Sequence, residues 1–207
     1  MGINPLFGRA GLRTKSVALV ALVAADYGAF LSAPTLASVL ANSGARAGDL
    51  CLVWGITNSV ATSGQQWTNT PSAGNWPLFW RRLSQADIAA GISANGVTTV
   101  AIYRGPTAIG AKRTSGGGNG GATMPGFVKS NFASALVFLG LGVSNSAPPG
   151  IGTPWTYRNN WMSGGFNAES RALYDLIPAD LYVNGSAIGF GGSSNGQTYG
   201  AVHEFLF

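Results

Sequence analysis

The sequence predicts an all-β fold: an antiparallel β-sandwich of jelly-roll type, preceded by an extended N-terminal arm. Three observations carry that expectation. Short apolar or alternating runs recur along the chain, separated by clusters of Gly, Pro, Ser and Asn, the punctuation of a multi-stranded antiparallel protein. Helical periodicity is scarce. Finally, 46% of the 207 residues are hydrophobic, with six Trp, six Tyr and ten Phe. That is enough apolar surface to offset ordering entropy, which excludes disorder over most of the chain.

Residues 1–16 read as the arm. Gly2, Pro5, Gly8 and Gly11 interrupt any regular element, and Asn4, Pro5, Leu6, Phe7 and Arg9 are the residues expected to lie against a neighbouring subunit. Residues 17–207 read as one sandwich domain. Its first strand is expected at 17–24, within Val17-Ala18-Leu19-Val20-Ala21-Leu22-Val23-Ala24-Ala25. With Arg9, Arg13 and Lys15 ahead of it, this run is similar to the basic region and apolar core of a secretory signal. It breaks at Asp26, short of the roughly 20 residues of a spanning helix, so a buried strand is the better reading and no membrane insertion is expected.

Further strands are expected at 50–56, 78–83, 98–103, 135–143, 155–158, 171–176 and 201–207. The unbroken Ala135-Leu136-Val137-Phe138-Leu139-Gly140-Leu141 implies a strand covered on both faces. At the C-terminus, alternation sets Val202, Glu204 and Leu206 against His203, Phe205 and Phe207. Helical spacing occurs within 34–47, limited by Gly44 and Gly48, and single turns fit at 84–88 and 177–181. The stretch Thr114-Ser115-Gly116-Gly117-Gly118-Asn119-Gly120-Gly121 reads as a flexible surface loop, since it has little to pack and much backbone entropy.

Charge narrows the function classes. Twelve basic and seven acidic residues leave a net charge of +5 but only 9% charged positions, against about 25% in ordinary soluble domains. So few charges remove much of a surface's protection against self-association, which points to a part built into a larger assembly. The basic residues are scattered, with pairs only at Arg81–Arg82 and Lys112–Arg113. Nucleic-acid binding wants a concentrated stripe, and no nucleic-acid partner is expected. A single cysteine, Cys51, excludes an intrachain disulfide framework and a cysteine zinc cluster. Inside Leu50-Cys51-Leu52-Val53-Trp54 it reads as a buried structural thiol.

Several motifs occur in an informative order. Ala47-Gly48-Asp49-Leu50 leads into a strand, Gln66-Trp67-Thr68 follows a polar loop, then come Phe79-Trp80-Arg81-Arg82 and Tyr103-Arg104-Gly105, and the chain closes on Val202-His203-Glu204-Phe205-Leu206-Phe207. Over roughly residues 45–207 this resembles a group of phage and prophage virion-associated proteins with an AGDL-strand, Trp-Thr, Tyr-Arg-Gly signature. The resemblance implies a β-sandwich and a virion setting near the tail or another external appendage, and implies no activity. The group usually has Gly-Trp where this chain has Gln66-Trp67, a departure that bears on that loop. In chemical terms, Gly48-Asp49 suits a turn into a strand, with the carboxylate taking local backbone donors.

The chemistry-bearing residues are few. His203, the lone histidine, stands beside Glu204, but no Gly-x-Ser-x-Gly elbow accompanies it, and a terminal strand favours packing or an interface. Seven acids (Asp26, Asp49, Asp87, Glu169, Asp175, Asp180 and Glu204) are the whole supply for a glycosidase pair. They are isolated in sequence, which argues against a calcium or magnesium cluster. Residues 114–121 lack the Lys-Ser/Thr ending of a phosphate-binding loop. No catalytic residue, metal or cofactor is expected. The aromatics Trp67, Trp76, Trp80, Trp155, Tyr157 and Trp161 lie among Asn, Ser and Gly. Trp80 reads as core, whereas Trp76, Trp155, Tyr157 and Trp161 are candidates for a subunit interface, a host-glycan contact or core.

The functional expectation is a non-enzymatic structural component of a tailed-phage virion, external, on the tail or an appendage. Its arm would tether it to other virion proteins and it would assemble as a homo-oligomer, preferably a trimer. A glycan-recognising receptor module, a capsid decoration or head-fibre protein and a polysaccharide hydrolase remain as alternatives.

Overall fold

The computed structural model describes residues 20–27, 44–55, 68–70, 78–90, 98–117, 122–124, 127–128, 130, 135–143, 149–151, 155–162, 169–176, 182–183, 186–190 and 198–207. These residues are all-β apart from one short helix. The first sheet contains β1 (Ala21–Tyr27), β2 (Leu50–Gly55), β3 (Thr68–Thr70), β4 (Leu78–Arg82) and β5 (Thr98–Arg104), in the order β1-β5-β2-β4-β3. The chain then passes through residues 105–107 to a second sheet. Its strands are β6 (Ala108–Gly117), β9 (Ala135–Val143), β11 (Thr156–Met162), β12 (Glu169–Leu176) and β15 (Thr198–Leu206), in the order β11-β12-β9-β15-β6. Every pairing in both sheets is antiparallel. The short strands β7 (Ala122–Met124), β10 (Pro149–Ile151) and β14 (Ser186–Phe190) make a three-stranded sheet, and β8 (Phe127–Val128) pairs with β13 (Tyr182–Val183).

The unbroken apolar runs have a simple cause: the central strands are buried on both faces, so neither set of alternating side chains meets water. Along β2, Leu50, Leu52 and Trp54 join Leu78, Ala101 and Tyr103 in one cluster. That cluster also contains Ile109, Ala135, Val137, Leu139, Leu173 and Phe205 from the second sheet. The intervening Cys51 and Val53 join Phe79, Leu83, Val100 and Ile102 in a second cluster on the opposite face, against Val23, Ala24 and Ala45. In β9 the neighbours Ala135, Leu136 and Val137 are all buried, as the continuous run implies. At about 1.5–3 kcal/mol for each fully buried large apolar side chain, the cluster shared by the two sheets is the main cohesive element among the described residues.

The helix α1 (Gln85–Ala90) begins at a reciprocal cap. Ser84 Oγ accepts from the Asp87 amide at 3.2 Å, and Asp87 Oδ2 accepts from the Ser84 amide at 2.7 Å. This satisfies two of the amides that a helix start leaves unpaired, and it places a helix where a single turn at 84–88 is expected.

The expected strands at 50–56, 78–83, 98–103, 135–143, 171–176 and 201–207 correspond to β2, β4, β5, β9, β12 and β15 within a few residues. Four differences stand out. First, β1 covers 21–27 rather than 17–24, with 17–19 outside the described residues. Second, β11 continues past 158 to Met162. Third, residues 114–117 are not loop but the end of β6, with Ser115, Gly116 and Gly117 opposite Gly200, Tyr199 and Thr198. Ladder hydrogen bonds to β15 hold them extended, and those bonds need no side chain. Fourth, a jelly roll moves successive strands between its sheets, whereas here β1 to β5 all lie in one sheet and the chain crosses after β5. The arm, residues 1–16, and the helical possibility at 177–181 lie outside the described residues, as does 34–43 of the possibility at 34–47, whose described end, 44–47, is turn rather than helix.

Candidate functional site

Among the described residues singled out by sequence are a surface joint, three further carboxylate anchors and a buried imidazole. The joint unites two motifs far apart in the chain. Asp49, at the entry to β2, and Arg104, the last residue of β5, meet because Leu50 pairs with Tyr103 across the sheet. Arg104 Nε donates to Asp49 Oδ1 at 3.0 Å and its Nη2 to Oδ2 at 2.8 Å, a two-point contact of the strong, charge-assisted kind. Asp49 Oδ2 also accepts from the Arg46 amide at 2.9 Å, and Arg104 Nη2 donates to the Gly44 carbonyl at 3.1 Å. Asp49 is buried, whereas the Arg104 side chain is 38% exposed. The hydrogen bond to Asp49, more than Coulomb attraction, raises the Arg104 guanidinium above its usual value.

Glycines make this geometry possible. Gly48 has φ 94° and Gly105 φ 109°, angles that cost an L side chain strain. The turn at Gly48 aims its amide at the Leu83 carbonyl, 2.8 Å away, while the Leu83 amide donates to the Asp49 carbonyl at 2.8 Å. The Gly-Asp and Arg-Gly pairs of the signature are therefore two halves of one joint, pinning the same end of β2, β4 and β5.

Asp87, Asp175 and Glu204 are also anchors. Asp87 Oδ2 accepts from Arg81 Nη2 at 2.7 Å as well as from Ser84, tying α1 to β4. Asp175 Oδ2 accepts from Arg158 Nε at 2.6 Å across the β11–β12 pair. Burial pushes the Asp175 carboxyl up, and Arg158 partly offsets the shift. Glu204 Oε1 accepts from the Ser130 amide at 2.8 Å and from its hydroxyl at 2.9 Å, and Oε2 from the Ala111 amide at 3.3 Å. Although sequence neighbours, Glu204 and His203 thus face opposite sides of β15, as alternation requires.

His203 is fully buried. Its ring lies 6.3 Å from that of Trp54, tilted by 55°, and one step along, Tyr103 and Phe205 have centroids 4.7 Å apart. Neither His203 nitrogen has a hydrogen-bond partner, and neither do Trp54 Nε1, the Tyr103 hydroxyl or Asp175 Oδ1. Burial first, and then the charge of Lys112, lower the His203 imidazole to about 3. The same desolvation pushes the Tyr103 hydroxyl well up, with Asp175 adding to it. An imidazole without a hydrogen-bonded serine or acid lacks the geometry of a nucleophile-activating relay. Cys51 is fully buried, and desolvation raises its thiol to about 12. Among the described residues, no group of three or more His, Cys, Asp or Glu is placed to hold a metal ion, and no helix is long and apolar enough to cross a membrane.

Of the aromatic candidates, Trp155 and Tyr157 have described side chains, and the two differ in exposure. Trp155 is buried, which removes its ring from the set of stacking faces, while Tyr157 two residues on is 50% exposed. The backbone of Trp161 lies in β11, and Trp76 falls outside the described residues, as do the arm residues Asn4, Pro5, Leu6, Phe7 and Arg9. The Asp175–Arg158 pair was missed by sequence reasoning. Its signal is a lone acid inside the otherwise apolar Leu173-Tyr174-Asp175-Leu176, a position that demands a partner once the strand is buried. Compared with family models, curated proteins and solved structures, the chain has no match.

Proposed function

We propose that this chain is a non-enzymatic structural component of a tailed-phage virion, located on the tail or another external appendage. In this reading the two five-stranded sheets form a β-sandwich whose wiring differs from a jelly roll, and residues 1–16 form an arm along a neighbouring subunit. The observation that carries the proposal is the joint between Asp49 and Arg104. The motifs behind the phage resemblance serve to fix strand ends, and Asp87, Asp175 and Glu204 are likewise engaged in anchoring contacts. A chain with 9% charged residues then gains its solubility by covering surface with copies of itself or with other virion proteins.

Light scattering coupled to size exclusion tests this on the full chain. The expected result is a closed homo-oligomer, preferably a trimer, that loses subunits when residues 1–16 are deleted. A stable, soluble monomer unaffected by the deletion would overturn the proposal. The exposed ring of Tyr157 favours one second reading, a glycan-contacting module. Binding on a glycan array that disappears in Tyr157→Ala would support that reading over a pure scaffold.

A further inference from the structure

His203 is the sole histidine of the chain, and it stands in a row of the second sheet that faces the first. Across β15 and β9 it pairs with Val137, which pairs in turn with Asp175 on β12, and on the other side of β15 it pairs with Lys112 on β6. Residues directly opposite in an antiparallel sheet share a face. Val137 belongs to the cluster shared by the two sheets, so His203 and Asp175 point into the same interior, two strand spacings or about 10 Å apart. Trp54 meets His203 from the first sheet.

We propose that His203 is an acid-sensitive latch between the two sheets, holding them closed while neutral and forcing them apart at the Trp54 end once protonated. Both ring nitrogens are buried without partners, a tolerable state for neutral imidazole and a costly one for imidazolium. Among the described residues, each ionisable neighbour bears on the sign. Lys112 opposite repels a second positive charge. Asp175, two strands away, is engaged by Arg158; Glu204 lies on the other face of β15, held by Ser130 and Ala111. Tyr103, from the first sheet, stays protonated and neutral.

Because the folded imidazole titrates at about 3 against an ordinary 6.5, the unfolded chain takes up its proton first. Stability is therefore complete above about pH 6.5 and is lost as pH falls, roughly tenfold in the folding equilibrium per pH unit until the folded value is reached. Asp175 acts with the opposite sign: its carboxyl is raised in the fold, so protonation there favours the folded state as pH falls. The latch must prevail over that opposing term.

The test is an acid titration of the full chain, followed by near-UV circular dichroism, beside His203→Phe. The expected result is a reversible loss of aromatic signal between pH 5 and 3 in the parent, with a midpoint at least one pH unit lower in the variant. Coincident midpoints would overturn the proposal, since carboxylates would then account for the whole transition. If His203→Phe does not fold, proton NMR of the parent decides, because the single imidazole gives one assignable resonance. The latch requires that resonance to stay unprotonated in the folded chain down to the transition. An imidazole titrating near 6.5 in the folded chain would overturn it.

Discussion

Removing the Asp49 carboxylate tests whether the signature motifs are a joint. In Asp49→Ala, three donors lose their acceptor: the Arg46 amide, Arg104 Nε and Arg104 Nη2, bonded at 2.9, 3.0 and 2.8 Å. A hydrogen bond to a charged group contributes about 1.5–3 kcal/mol. The Arg104 side chain is 38% exposed, so water recovers much of what its guanidinium loses, and Nη2 keeps the Gly44 carbonyl. The full figure applies to none of the three, and a total of about 2–3 kcal/mol follows, below the roughly 3–5 kcal/mol of a fully buried broken pair. Urea unfolding should show this as a lower midpoint at unchanged slope. Arg104→Ala and the double variant complete a cycle with a coupling of about 1–2 kcal/mol. A loss under about 0.5 kcal/mol in Asp49→Ala, or additive single effects, would refute the reasoning.

Three other outcomes follow from the same geometry. Gly48→Ala places a side chain at φ 94°, 3.3 Å from Arg82 Nη2, and should destabilise by about 1–2 kcal/mol, read in the same urea experiment. Ser84→Ala removes the cap of α1 and one of the Asp87 contacts; a loss of about 1 kcal/mol is expected, visible as a drop of a few degrees in the thermal midpoint. Cys51, fully buried and raised to about 12, should resist an aromatic disulfide reagent at pH 8 and react at once in denaturant; prompt reaction in the folded chain would place the thiol elsewhere.

Much of the fold was legible because strand burial writes itself into composition. The run through β9 is apolar at consecutive positions since both its faces are covered, and that pattern survives without knowing what covers them. The paired glycines at 116 and 117 were not legible: their extended conformation comes from the ladder to β15, and backbone hydrogen bonds leave no mark on side-chain choice. The site divides in the same way. Asp49 could be read as a turn carboxylate, but nothing local names Arg104, 55 residues later, as its partner.

The amino-acid sequence by itself determined that the chain is β-rich, that it has apolar residues enough for a large interior, and that its charges are sparse. These are properties of residue type and of alternation along a strand. Which strands adjoin, and therefore which carboxylate meets which guanidinium and which face takes His203, was decided only by the tertiary structure. Register brings distant positions together through backbone bonds that every residue offers alike, so the choice among pairings rests on the summed packing of two sheets rather than on any local pattern.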